Sequence, residues 1–303
     1  MKLVVFLFYA FFIQIATSKL TSITYFLCTS SNPQDCQLIN RTNSQTLQNS
    51  TFDSNATTLL YSHGYNGGIN DKYVPKIKKA MQDRGIAYNL IIQDWSVLGE
   101  NPNYFVAKEG VEPAGKDLAL FIEFLQSNLS LSLSKLILSG HSLGAHVAGY
   151  CGKNMPAGSR IQHIIGLDPA GVFYTDPNKM LNSSDAKYVE TIQTNGNAYG
   201  YYMPIGSASF YPNGGVTQPG CDIWNLIRCS HDRSVEYFVE ALRNNLFFAK
   251  KCKDMGALSI KTCDVPLDAV KMGDLNNGQF ELPPKGIFYL ETNGNSPYGK
   301  GEV

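Results

Sequence analysis

Residues 135–153 read KLILSGHSLGAHVAGYCGK. Apolar residues fill Leu136 to Leu138, the run ends on Ser139-Gly140-His141-Ser142-Leu143-Gly144, and helical spacing takes over from Leu143 to Lys153. That pattern is a buried strand, a tight turn and a helix, with Gly-x-Ser-x-Gly at the turn. Ser142 is its crest. Gly140 and Gly144 remove side chains that would collide with the neighbouring strand and helix. A serine hydroxyl is a poor nucleophile until a base takes its proton, so the motif demands partners elsewhere.

Downstream, Ile164-Ile165-Gly166-Leu167-Asp168-Pro169 ends an apolar run on a carboxylate. The competing carboxylates Asp176, Asp185 and Asp222 do not directly end an apolar strand. The other reading of Asp168 is a helix cap or turn residue before Pro169. Of the five histidines, His63, His141, His146 and His163 precede Asp168, and only His231 follows it. The order Ser, Asp, His is that of the α/β-hydrolase fold. In that arrangement Ser142 attacks an ester carbonyl and His231 relays the proton to the leaving alcohol. Asp168 holds the imidazole tautomer, and water then cleaves the acyl-enzyme. The alternative for His231 is an ordinary loop histidine.

Short apolar runs at 57–62, 88–95, 135–139, 161–167 and 187–194 predict strands buried on both faces. Between them lie helical patterns at 73–84, 115–129, 143–153 and 232–245. The alternation predicts an α/β fold, a mostly parallel central sheet with helices on both faces. Active sites in such sheets lie at the C-terminal strand ends, where Ser142, Asp168 and the His63-Gly64-Tyr65 turn fall. The Leu143 N–H, at a helix N-terminus, and the Tyr65 N–H, on the loop after an early strand, are the candidate oxyanion donors. No cofactor signature occurs, neither a Gly-x-Gly-x-x-Gly after a strand nor a phosphate loop.

The wider composition bounds the setting. Twenty-five basic and twenty-five acidic residues cancel, which gives no sign of a nucleic-acid partner or of strong attraction to an anionic membrane. Lys2, the apolar run Leu3 to Ile13 and Ala16-Thr17-Ser18 predict a secretory signal peptide over 1–18. A membrane anchor is the other reading, but the run is short for a span. Residues 19–303 then form one α/β-hydrolase domain with no transmembrane segment, secreted to the extracellular space. Seven cysteines fit that compartment. Nearest-neighbour pairing predicts Cys28–Cys36, Cys221–Cys229 and Cys252–Cys263, leaving Cys151 as a buried free thiol on a helix. Sequons at Asn40, Asn49, Asn55, Asn128 and Asn182 are glycan acceptor candidates on surface loops.

The segments HGYNGG (63–68), IIQDW (91–95), SGHSLGAHVAGYCGK (139–153), IIGLDPAG (164–171), FYPNGG with QPGC (210–215 and 218–221) and CSHDRSVEYF (229–238) together resemble the pancreatic lipase family of secreted neutral lipases and phospholipases A1. The resemblance runs from about Ile23 to Leu290. It implies the α/β-hydrolase fold, Ser142, Asp168 and His231 as triad, and Tyr65 and Leu143 as oxyanion donors. Digestive members carry a C-terminal β-sandwich that docks a colipase. Val303 comes too soon for one, so the chain resembles the single-domain insect members and no colipase is expected. The family covers its site with a disulfide-closed lid, and here Cys221 to Cys229 enclose only seven residues. The loop from Asn195 to Ser209 is also short. A small lid shelters a three-chain apolar substrate poorly, which points toward phospholipase A1 or galactolipid hydrolysis. Ile223, Trp224, Leu226 and Ile227 would then touch a lipid–water interface, their plain alternative being packing within a small loop. Some relatives bind calcium through a loop matching Leu181 to Asp185, but Asn182 stands where an aspartate is usual, and no metal is expected. A neutral triacylglycerol lipase and a non-catalytic, yolk-protein-like lipid carrier remain the competing readings.

Overall fold

Apolar side chains alternate between two cores along each buried strand. Leu60, Leu136, Leu138 and Ile164 enter one core, while Leu59, Tyr61, Ile137 and Ile165 enter the other. A strand buried on both faces needs cover on both faces, and helices supply it. The computed structural model describes residues 23–264, 270–279 and 283–301. The predicted signal peptide, 1–18, lies outside the described residues.

The strands are β1 (Thr24–Thr29), β2 (Asn32–Ile39), β3 (Thr57–Ser62), β4 (Tyr88–Asp94), β5 (Leu136–His141), β6 (His163–Leu167), β7 (Tyr188–Ile192), β8 (Ala208–Pro212), β9 (Phe248–Cys252), β10 (Val270–Lys271) and β11 (Gly286–Leu290). They form one sheet in the order β10-β9-β11-β8-β7-β6-β5-β3-β4-β1-β2. The run from β4 to β11 through β3, β5, β6, β7 and β8 is parallel. Antiparallel strands extend it at both ends. The longer helices are α1 (Val74–Asp83), α2 (Val111–Leu129), α3 (Leu143–Asn154) and α4 (Leu226–Arg243). Leu118, Phe121 and Ile122 of α2 and Val147 of α3 cover one face. Ile77 of α1 and Val235 and Phe238 of α4 cover the other. The chain therefore has the α/β-hydrolase architecture.

Three expectations need correction. The helix predicted over 232–245 begins at Leu226, inside the Cys221–Cys229 loop, so His231 lies inside α4 instead of ahead of it. The cause is local: the Asp222 carboxylate caps a single 3-10 turn, Ile223–Asn225, which runs straight into α4. Asn128 sits in the last turn of α2, where its amide donates to the Phe124 carbonyl at 2.8 Å, and not in a loop. It is exposed, as are Asn49 and Asn55, while Asn40 and Asn182 are half-buried. Finally, α2 begins at Val111, four residues before the predicted Gly115, because Pro113 is tolerated in a first turn whose N–H groups have no helical partner.

All three expected disulfides are present, and Cys151 is a buried free thiol. Among the described residues no helix is long and apolar enough to cross a membrane.

One buried carboxylate gives the fold a pH dependence. Glu190 on β7 accepts from the Gly273 N–H at 2.5 Å and the Asn277 amide at 2.8 Å, tying the 270–279 segment to the sheet. Burial pushes its carboxyl up to about 7. Below the ordinary carboxylate range both folded and unfolded chains are protonated there, and the stability is complete. Between that range and about 7 the folded chain holds a proton that the unfolded chain has lost, so stability falls as pH rises and levels off above about 7. The loss is roughly 3 kcal/mol at about 1.4 kcal/mol per pKa unit. Glu190→Gln should flatten the decline in Tm between about pH 4 and pH 8, a window that spans the ordinary and the raised carboxylate pKa. An unchanged slope in the variant would place its source elsewhere.

Candidate active site

The turn after β5 is crowded. A Cβ on Gly140 would lie 2.1 Å from the Gly144 carbonyl oxygen, and one on Gly144 would lie 2.2 Å from the Ser62 carbonyl oxygen on β3. No side chain fits at either position. Between them Ser142 takes φ 57° and ψ −120°, a conformation that L-residues rarely adopt and that costs about 1–3 kcal/mol. Backbone bonds hold it there. The Ser142 N–H donates to the Leu167 carbonyl at 3.0 Å, and the Ser142 carbonyl accepts from the Ala145 and Ala170 N–H groups at 3.1 and 3.2 Å. The turn is thereby stitched to both ends of the β6 exit.

Asp168 leaves the end of β6 fully buried, also at positive φ, 43°. One carboxylate oxygen accepts from the Thr194 and Asn195 N–H groups at 2.7 and 2.9 Å. The other lies 2.5 Å from Nδ1 of His231. With both oxygens occupied, the imidazole is held in the tautomer that carries its proton on Nδ1 and leaves Nε2 free to accept. His231 is itself 7% exposed. Its ring lies 4.5 Å from that of His141, whose Nε2 faces the His231 carbonyl at 3.4 Å. Burial, then the neighbouring His231, pushes His141 down to about 3, so it stays neutral beside the second histidine.

The loop after β3 is braced by His63. Its Nδ1 lies 2.9 Å from the Gly64 carbonyl, so Nδ1 carries the proton, and Nε2 accepts from the Trp95 N–H at 3.1 Å. The Trp95 indole donates back to the His63 carbonyl at 2.9 Å. Tyr65 follows, its hydroxyl turned away to the Asn101 carbonyl at 2.7 Å. Among the described residues neither the Tyr65 N–H nor the Leu143 N–H has a protein acceptor. Both therefore have a donor to offer.

These pieces meet in a cavity of about 880 Å³ lined by Ser142, His231, Tyr65, Tyr199 and Phe173. The lid nominated from sequence is a turn and the start of α4. Ile223, Trp224 and Ile227 are 78%, 93% and 47% exposed, whereas Leu226 is half-buried. Sequence reading missed a further apolar rim: Phe105 and Phe173 are exposed and their rings lie 4.4 Å apart. No motif marks them, because only the fold brings residues so far apart in the chain together. Gly200 was missed too. A Cβ there would lie 2.5 Å from both Asp168 oxygens.

The loop from Leu181 to Asp185 holds a cation of the protein's own. Lys153 Nζ lies 2.5 Å from Asp185 Oδ2, which also accepts from the Asn182 N–H at 2.9 Å. Among the described residues no group of three His, Cys, Asp or Glu side chains could hold a metal ion.

The sequence profile described as Lipase matches residues 11–298. The chain belongs to the lipase family. It is 34% identical to the hepatic triacylglycerol lipase of Mus musculus over 245 residues, covering 72% of this chain and 48% of the mouse protein. Against a putative endothelial lipase of Crotalus adamanteus it is also 34% identical, with the same two coverages. Lipoprotein lipase of Rattus norvegicus is 29% identical over 83% of this chain and 58% of its own length. This lipase-family chain thus spans about half the length of the first two of these relatives. Among solved structures it is similar to esterase PE8, at 21% identity and a TM-score of 0.35, covering 46% of this chain and 69% of that one.

Crowding at Gly200 makes a testable demand. Gly200→Ala should push the Asp168 carboxylate off its two amides and His231. A soluble p-nitrophenyl ester should be hydrolysed at least about a hundredfold more slowly, within the range seen when a triad member is impaired. Hydrolysis at the wild-type rate would mean that Asp168 does not govern His231.

Proposed function

We propose that this lipase-family chain is a secreted serine carboxylester hydrolase acting on lipids. Ser142 is the nucleophile, His231 the general base and then acid, and Asp168 the residue that orients and stabilises the imidazolium. The Tyr65 and Leu143 N–H groups receive the oxyanion. The observation that carries this reading is the buried Asp168–His231 contact at 2.5 Å beside a serine held at positive φ. It supports a proton relay: the carboxylate is fully buried and held by two amides, so the imidazole can accept the serine proton without losing its orientation. Attack on the ester carbonyl places negative charge on its oxygen next to the α3 N-terminus, where the two unengaged N–H groups and the helix dipole favour it. His231 then protonates the leaving alcohol, and water repeats the sequence on the acyl-enzyme.

The substrate class we favour is a phospholipid, cleaved at its sn-1 ester, with galactolipids as the related substrate of the same site. The seven residues between Cys221 and Cys229 form a turn with an exposed apolar tip rather than a broad cover. Such a tip suits contact with a lipid surface and leaves the cavity open to a polar headgroup. The names of the hepatic relatives favour a second reading, a triacylglycerol lipase. No colipase, nucleic-acid or cofactor requirement belongs to either proposal.

Phosphatidylcholine labelled differently in its two acyl chains, assayed beside a triacylglycerol emulsion, separates these readings. Release from sn-1 that disappears in Ser142→Ala is the expected result. Triacylglycerol cleavage alone would replace the phospholipid assignment, and silence on both would leave a lipid carrier. Trp224→Ala should weaken binding to phosphatidylcholine vesicles several-fold while a monomeric ester is still cleaved. Equal vesicle binding would remove the lid tip from the interface.

A further inference from the structure

The mouth of the cavity carries two cations from distant parts of the chain. Lys72 lies in the loop between the Tyr65 turn and α1, and Arg228 lies on α4 three residues ahead of His231. Both line the cavity that holds Ser142. Both turn toward one carboxylate, Asp232: Lys72 Nζ is 2.7 Å from its Oδ2, and Arg228 Nε is 3.9 Å from the same atom. Two positive charges thus share one negative charge. The Arg228 contact is too long for a hydrogen bond, so its guanidinium keeps its donors. Its side chain is 72% exposed and that of Lys72 56%, against 17% for Asp232. The cations face outward and the carboxylate sits behind them.

Three further carboxylates line the cavity, Asp71, Asp94 and Glu100, and backbone amides fix the first two in place. Asp94 accepts from the Ile69 and Ser96 N–H groups at 3.2 and 3.0 Å, and Asp71 accepts from the Tyr73 N–H at 2.9 Å. Glu100 lies on another loop, next to Asn101, whose carbonyl takes the Tyr65 hydroxyl. Lys72 and Arg228 are the only lysine and arginine side chains among the described residues that line the cavity, and the Arg228 donors are unengaged.

We infer that Lys72 and Arg228 form an anion subsite that takes the phosphate of a phospholipid while its sn-1 ester lies at Ser142. The inference rests on the lipolytic reading above and deepens it by assigning the headgroup. A phosphodiester carries one negative charge and acceptor oxygens, which suit an ammonium and a planar guanidinium converging on one point. In a glycerophospholipid the phosphate is a few bonds from the sn-1 ester, so both can occupy one cavity. A diacylglycerol or galactolipid offers no charge there. The subsite thus selects among lipids that share the same ester.

The test uses dihexanoylphosphatidylcholine and dihexanoylglycerol, both kept monomeric so that vesicle binding plays no part. Wild type, Lys72→Met/Arg228→Met and Lys72→Arg are compared by kcat/KM. A fluorophosphonate that labels Ser142 and a thermal melt verify that each variant is folded. The double variant should lose about tenfold more activity on the phosphatidylcholine than on the diacylglycerol, mainly through KM, as expected for the loss of charge-assisted bonds. Lys72→Arg should keep the wild-type ratio. Parallel loss on both substrates, no loss on either, or a wild type that cleaves only the diacylglycerol would overturn the subsite and leave the esterase. Silence of the wild type on both substrates would remove the lipolytic reading and the subsite with it.

Discussion

Everything at the site depends on how closely β5, β3 and α3 approach one another at the Ser142 turn. Backbone packs on backbone there, with no room for a side chain on Gly140 or Gly144. That contact forces Ser142 to positive φ and lifts its hydroxyl above the sheet edge. The same turn is bonded to the β6 exit through the Leu167 carbonyl and the Ala170 N–H. The serine and the carboxylate residue are thus placed relative to each other by main-chain bonds, which tolerate little slack. A larger residue at either glycine would move both.

The histidine arrives by a different route. It rides on α4, which follows the exposed turn of Ile223 and Trp224 and also carries Arg228 and Asp232, one helical turn apart and 3.9 Å from each other. Arg233, nearly buried, fastens the base of this unit. It donates to the Pro219 carbonyl at 3.1 Å, lies 3.5 and 3.8 Å from the two sulfurs of Cys221–Cys229, and stacks on Tyr298 at 4.6 Å. The tip is exposed, while its root is tied to the histidine. The exposed tip, Arg228 and the imidazole therefore belong to one continuous stretch of chain.

The parallel strands β3 to β7 were legible because they are short, apolar and buried on both faces, whereas the parallel β8 and β11 were not picked out. Neither were β1 and β2. β2, Asn32–Ile39, is mostly half-buried or exposed and reads NPQDCQLI, with no alternation to betray it. It forms because β1 pairs with β4 and leaves a free edge, which is a tertiary cause. The start of α4 was missed for a local reason. Asp222-Ile-Trp-Asn looks like a loop until a disulfide and a side-chain cap make it a helical turn.

The sequence by itself determined the elements whose cause is local: the glycines that permit the Ser142 turn, the apolar runs that end at Asp168, and the single histidine downstream of it. It also determined the three disulfide pairs, since each joins nearest neighbours along the chain. Only the tertiary structure decided which amides hold Asp168, that Gly200 must leave space beside it, and that Phe105 meets Phe173 at the mouth. It alone brought Lys72 to Arg228 across Asp232. Those are contacts between segments far apart in the chain, and local sequence carries no record of a partner until packing on both faces of the sheet sets the register that joins them.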